Sequence, residues 1–403
     1  MHPMVKPALR RGWRDLNTVQ FGMTPAHALT LGPVDTATGS FLEQLNGTRG
    51  LALLREEGRR CDLPDGQVDA VLEHLAQAGL LDDATAAGPA AAALRDRPDA
   101  LDRLRPDLAS LTLVTSRPGE ALDLLAARRA TRVQVRGAGR VGVTIARLLS
   151  AAGVGEVDVR DVGEVHPWDV TPGGLPAKSV GARRTEAARG AVRRSAPQAP
   201  RRRSPAARTG GEPGNTLVVL APRDDVAVHT PDPAVSAPLT ETGTPHLHAG
   251  VVEATGVVGP LVLPGRSACA GCLHAHRADR DPAWPRLVAQ WRCRRPREVP
   301  PCDLTLATTV AGLAAAHALA FLDGFVPSSV GARWEVSLPA LSWRARTVAP
   351  HPACPCGGAE KAKGERTSMD EEARETMAGQ RPTTVSRHRA DAARPTGTWR
   401  AHV

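Results

Sequence analysis

Residues 132–161 constrain this 403-residue chain more than any other stretch. They read as a short apolar-rich strand Arg132–Val135, a turn Gly137-Ala138-Gly139-Arg140-Val141-Gly142, a helix Arg140–Ala152, and a second strand Val157–Arg160 closed by Asp161. Val141, Ile145 and Leu148 share one face of that helix, the helical period expected of a segment packed on a sheet. In this context each glycine has a physical task. Gly137 permits the tight turn, Gly139 lets backbone N–H groups approach phosphate oxygens, and Gly142 lets the helix pack close on the strand. The helix N-terminus adds donors and partial positive charge. Asp161, 19 residues after Gly142, is placed to accept hydrogen bonds from a ribose. A purely structural glycine turn is the competing reading, and the glycines alone admit NAD, FAD or ATP. Gln134 and Asp158 run against the pattern, because parallel strands are buried on both faces.

Seven cysteines stand at 61, 269, 272, 293, 302, 354 and 356. No secretory signal is visible in the basic segment Met1–Trp13, so metal binding or catalysis is expected before disulfides, in a cytoplasmic setting. Cys269-Ala270-Gly271-Cys272 supplies two thiolates on one tight turn. Cys354-Pro355-Cys356 supplies two more, and four thiolates close a tetrahedral Zn²⁺. His274, His276 and His351 are nearby substitutes. Cys302, in Pro300-Pro301-Cys302-Asp303, precedes a long helical stretch; a helix N-terminus lowers a thiol pKa, which makes it a candidate nucleophile. The apolar run Leu217–Leu220 leads into Arg223-Asp224-Asp225, a carboxylate pair where a strand end meets Mg²⁺ or a nucleotide.

The order of these motifs resembles the ThiF/MoeB/HesA superfamily, the bacterial relatives of ubiquitin-activating enzymes. The likeness covers about residues 110–356, and the stretch Gly243–Cys272 is similar to that family's approach to its first zinc pair. It implies a Rossmann-like α/β fold with a mostly parallel sheet, usually dimeric. The implied activity is ATP- and Mg²⁺-dependent adenylation of the C-terminal carboxylate of a ubiquitin-like protein or precursor peptide. By the same likeness Gly137, Gly139 and Gly142 are the ATP loop and Asp161 the ribose ligand. Asp224 is the Mg²⁺-side aspartate, Cys302 the cysteine-loop residue, and Cys269, Cys272, Cys354 and Cys356 the zinc set. The family's phosphate-binding Arg has no counterpart in Asp169-Val170-Thr171-Pro172-Gly173-Gly174, and its later Lys is replaced by Arg183 or Arg184. Two alternatives remain open at this point: a catalytically degenerate member that presents a peptide to a YcaO-like cyclodehydratase, and an NAD-dependent oxidoreductase.

Ahead of this domain, residues 9–83 read as a hairpin (Thr18–Met23, His27–Leu31) followed by three helices, the last over Gln67–Leu81 with Val68, Val71, Leu72 and Leu75 on one face. This winged-helix-like α+β outline resembles the PqqD-like domains that bind leader peptides by strand addition, as in actinobacterial azole-peptide maturation proteins. Residues 84–107 are expected as a linker, Leu108–Val114 as a strand and Gly119–Ala130 as a short helix. Residues 357–403 are expected to be disordered. Between Arg183 and Arg208, within the loop 183–214, nine arginines face Glu186 alone, so +8 of the net charge of +9 sits in that run. That run carries no interleaved aromatics, which reads as a solvated face and not a nucleic-acid site. Leu304–Leu322 is long enough for a membrane span, but its alanines, threonines and His317 indicate a buried helix of a soluble protein.

Overall fold

The computed structural model describes residues 1–86, 88–197, 214–294, 299–358 and 400–402. The chain divides into two units, Met1–Ala127 with Thr383–Val403, and Arg128–Pro382.

The first unit opens with strands β1 (Pro3–Val5), β2 (Arg11–Asp15), β3 (Thr18–Phe21) and β4 (Leu29–Gly32). β2, β3 and β4 form an antiparallel meander in which Val19 faces Leu31 and Phe21 faces Leu29. The period of two turns Val19, Phe21 and Leu31 into the core. Helix α1 (Thr36–Leu42) starts where the Asp35 carboxylate accepts the Thr38 N–H. It is followed by α2 (Leu51–Arg60) and α3 (Gln67–Gln77). The α3 face Val68, Val71, Leu72 and Leu75 is buried as its spacing demands. That helix stops before Gly79, whose φ of +68° ends it, so Leu81–Asp83 forms β5 against β1 instead of prolonging the helix.

Segment 84–114 corrects two expectations. The linker and the strand Leu108–Val114 are instead α4 (Pro89–Arg95) and α5 (Pro98–Val114), followed by α6 (Glu120–Arg128). Pro89 and Pro98 sit in first turns, where a missing N–H costs nothing. Leu101, Leu104, Leu108 and Leu111 recur at helical spacing, and Leu104 and Leu111 join Leu94, Leu122 and Leu125 in a small core of their own.

The second unit begins with β6 (Arg132–Arg136), α7 (Arg140–Ala151), β7 (Glu156–Arg160), α8 (Arg184–Ser195) and β8 (Leu217–Leu220). It continues through α9 (Asp225–His229), α10 (Pro233–Glu241), β9 (His246–Val252) and β10 (Thr255–Val262). The last elements are α11 (Ala270–Arg280), α12 (Trp284–Cys293), α13 (Leu304–Leu322), β11 (Ala332–Ser337) and β12 (Trp343–Thr347). One seven-stranded sheet runs β12-β11-β10-β9-β8-β6-β7. β7, β6, β8 and β9 are mutually parallel, and β9 through β12 pair antiparallel. This is the Rossmann-like α/β architecture expected, with an antiparallel extension on one side. The two polar residues that interrupt the parallel strands are paired: Gln134 accepts from Arg136, and Asp158 accepts from Arg160 and Arg189.

Helix α13 packs on α7, β9 and β10. By length and apolarity it would cross a membrane; here Leu306, Val310, Ala314 and Ala318 are buried in the main core with Val133, Ile145 and Val219. The expected arginine loop 183–214 instead opens with helix α8 over Arg184–Ser195, and residues 198–213 lie outside the described residues. So does 359–399 of the tail; beyond it β13 (Arg400–His402) pairs antiparallel with β4.

Candidate active site

A cavity of about 400 Å³ opens at the carboxyl ends of β6 and β8, where the parallel strands change direction of winding. Its floor is the turn from β6 into α7. Gly137 holds φ +112°, and a Cβ there would meet the Ala221 carbonyl oxygen at 1.9 Å. At Gly142 the constraint is space alone: a Cβ would lie 2.0 Å from the Gly137 carbonyl oxygen. Glycine at both positions therefore lets α7 begin hard against the strand ends. Gly139 caps α7 with no side-chain acceptor, so the first-turn N–H groups stay free for an anion at the cavity wall.

Asp161 stands one residue beyond β7. Its carboxylate accepts the Ala138 N–H at 2.6 Å and the Val162 N–H at 2.6 Å, which braces the glycine loop. It does not itself line the cavity. Arg184 is placed differently from the catalytic role expected of it as the replacement for the family's Lys. Its side chain is 3% exposed, ion-paired to Asp161 at 3.3 Å and Asp169 at 3.4 Å, and it donates to the carbonyls of Val162 and Glu164. It is an internal tie for the loop after β7, and it is absent from the cavity lining.

The charged groups that do line the cavity are others. Arg140, in the glycine motif itself, donates to the Trp168 carbonyl at 2.6 Å and to the Cys302 carbonyl at 2.9 Å, joining two walls. Arg223, on the loop after β8, donates to Asp169 at 2.9 Å. Asp169 closes a short 3₁₀ turn, Pro167–Asp169, and is buried. Trp168 stacks on His166, and its indole N–H is buried with no partner among the described residues. Sequence reasoning missed all four. The visible signals were the arginine inside the glycine motif and the arginine directly before the Asp224–Asp225 pair.

Cys302 lines the cavity, but the expectation of an activated thiol fails. Burial pushes the thiol up to about 11, and Arg140 offsets only part of this. The helix N-terminus is taken by Asp303, whose carboxylate accepts the N–H groups of Thr305 and Leu306. Asp224, next in the chain to the cavity-lining Arg223 but not itself part of the lining, caps α9 by accepting the Val226 N–H at 3.0 Å. Its carboxyl is raised above the ordinary range, first by burial and then by the neighbouring Asp225.

Away from this cavity, Cys269, Cys272, Cys354 and Cys356 converge. Sγ separations are 3.9 Å for Cys269–Cys272, 3.6 Å for Cys269–Cys354 and 3.6 Å for Cys272–Cys356. Four thiolates at about 2.3 Å from a tetrahedral ion stand about 3.8 Å apart, so the donor set and its spacing fit Zn²⁺. The first pair opens α11 and the second follows β12. The nearby histidines stand outside this four-cysteine group: His274 bonds the Pro231 carbonyl, His276 the Ala349 carbonyl, and His351 Asp279. The His351 N–H donates to Cys272 Sγ at 3.3 Å, orienting a ligand from behind.

A family model described as ThiF family matches residues 119–356. Among solved structures, E. coli MccB with succinimide superposes at TM-score 0.64 and 13% identity, over 88% of this chain and 99% of that one. E. coli MccB with ATP gives TM-score 0.63 and 14% identity, over 88% and 99%. PaaA gives TM-score 0.63 and 14% identity, over 86% and 100%. The microcin C7 biosynthetic enzyme MccB in complex with N-formylated MccA gives TM-score 0.62 and 14% identity, over 89% and 100%. Comparison with curated proteins returns no match.

Proposed function

Because the chain belongs to the ThiF family, we propose that it uses ATP to adenylate the C-terminal carboxylate of a precursor peptide. The observation that carries this reading is the cavity wall: an uncapped helix N-terminus on a glycine turn, flanked by the guanidinium groups of Arg140 and Arg223. That wall suits a polyphosphate. The likeness of the fold to MccB, solved with ATP and with a peptide, MccA, supports the same pairing of substrates here. The NAD-dependent alternative rested on the glycines alone and is not favoured by family membership.

In the reaction a peptide carboxylate oxygen attacks the α-phosphorus, the bond to the bridging oxygen of the β-phosphate breaks, and pyrophosphate departs. The acyl adenylate keeps AMP as a leaving group for a later nucleophile. The first-turn N–H groups of α7 meet the charge that grows on the departing phosphates, preorganised and needing no rearrangement. Asp161 serves the site indirectly, by holding the glycine loop through the Ala138 N–H. Mg²⁺, held on Asp224, would neutralise phosphate charge, and the Asp224–Asp225 crowding that raises one carboxyl is relieved by such a cation. Zn²⁺ on the four cysteines would be a structural cross-link. Cys302 contributes as cavity wall. The first unit reads the peptide leader, with β2 offering a sheet edge beside the half-exposed Trp13.

ATP–pyrophosphate exchange with candidate precursor peptides tests the reading. Exchange that requires both peptide and Asp224 is the expected result. Bound ATP with no exchange for any peptide ending in a free carboxylate would count against it.

A further inference from the structure

The loop after β7 contributes Trp168 and Asp169 to the cavity lining but no cation. We infer that Arg223, supplied from the loop after β8, is the phosphate-binding cation of this chain, and that Asp169 is the counter-ion that parks it until nucleotide arrives. This rests on the proposal above that the cavity takes ATP.

Three observations carry the inference. The Arg223 side chain crosses the middle glycine of the loop: a Cβ on Gly139 would stand 2.9 Å from Arg223 Cγ and 3.4 Å from Cδ. That glycine is where a pyrophosphate approaches the backbone, so the arginine stem already lies over the phosphate position. Its side chain is one quarter exposed, and its guanidinium is held at 2.9 Å by one oxygen of Asp169. The other oxygen of Asp169 separately accepts from Arg184 at 3.4 Å and from the His166 N–H at 3.0 Å. When Arg223 leaves, the buried carboxylate keeps two partners and is not stranded, so the exchange of carboxylate for phosphate is cheap. Trp168, next to Asp169, lines the same cavity, and its buried indole N–H lacks an acceptor among the described residues. A guanidinium suits the task because its planar fork pairs with phosphate as it does with carboxylate.

The test is calorimetric titration of the full chain with ATP, AMP and adenosine, for wild type, Arg223→Gln and Arg223→Lys. Charge-assisted bonds to phosphate predict that Arg223→Gln loses about tenfold or more in ATP affinity, with a smaller loss for AMP and none for adenosine. Arg223→Lys is expected to recover part of the ATP affinity. ATP affinity that is unchanged or tighter in Arg223→Gln overturns the inference and makes Arg223 a plug, leaving the adenylation proposal standing. Equal losses for ATP and adenosine also overturn it, since a wall residue does not discriminate by phosphate number. If wild type binds neither ATP nor adenosine, the nucleotide reading falls and the inference with it.

Discussion

Gly142→Ala tests whether the contact between the glycine loop and α7 sets both stability and activity. The added methyl would stand 2.0 Å from the Gly137 carbonyl oxygen, 2.9 Å from its carbonyl carbon and 3.3 Å from Ala221 Cβ. Two of those neighbours are backbone atoms that cannot rotate aside, so the helix start must retreat by roughly 1 Å to reach ordinary contact distance. Overpacking of this kind costs ~1–3 kcal/mol, which for a unit of this size lowers the melting temperature by about 6–12 °C at the upper end of that cost. The effect on turnover is larger, because a displacement of about 1 Å in a phosphate-positioning element costs up to about a hundredfold. Thermal melting and pyrophosphate exchange on the same preparation read both quantities. Gly312→Ala is the control. Gly312 lies mid-helix in α13, is exposed and has nothing within 4 Å of the methyl that alanine would add, so it is expected to gain ~0.5–1 kcal/mol from helix propensity with exchange unchanged. A Gly142→Ala protein that melts and turns over like wild type would refute the packing argument.

Asp323→Asn should cost ~3–5 kcal/mol, because it strands the buried Arg128 guanidinium that now meets both carboxylate oxygens at 2.8 and 2.6 Å. Urea unfolding measures it, and the double variant Arg128→Met/Asp323→Leu is expected to lose less. Cys272→Ser should abolish zinc in metal analysis of the purified chain, where wild type carries about one ion per chain, and lower the melting temperature; a variant that retains the metal argues against a four-thiolate site. Burial holds His248 down to about 3 and His229 down to about 4, from an ordinary value of 6.5. Both are neutral in the folded state while the unfolded chain takes up protons, so their contribution is intact above pH 6.5 and is lost as pH falls toward 4. The slope approaches ~1.4 kcal/mol per pH unit for each. Denaturant midpoints at pH 7 and 5.5 should separate wild type from His248→Gln, whose dependence is shallower; identical slopes would contradict the burial argument.

What could be read from sequence is what depends on neighbours in the chain. Gly137, Gly139 and Gly142 were legible because strand, turn and helix are adjacent, and the Leu217–Leu220 strand and α13 were legible from composition and length. The cysteine pairs were legible as halves, because each is local, and the zinc chemistry joined them. What failed depends on burial and direction. Arg184 and Arg223 are the same residue type, each beside a motif, and only tertiary packing decides that one turns inward to Asp161 and the other lies over Gly139. Cys302 has the helix that would activate it, but Asp303 takes the helix end and burial raises the thiol. α5 was missed because Pro106 and the surrounding Asp and Arg residues disguise a leucine period that is plain once Leu104 and Leu111 are seen to be buried.

The four-cysteine cluster also changes the topology of the polymer. An ion joining Cys272 to Cys354 closes a ring of about 80 residues, and such a ring removes ~4.5 kcal/mol of entropy from the unfolded chain. The ring contains α12, α13, β11 and β12, and with them the Pro300–Asp303 wall of the cavity. If Zn²⁺ holds the ring closed, opening it with a chelator would free the far wall of the cavity to unfold on its own, although none of the four cysteines lines that cavity.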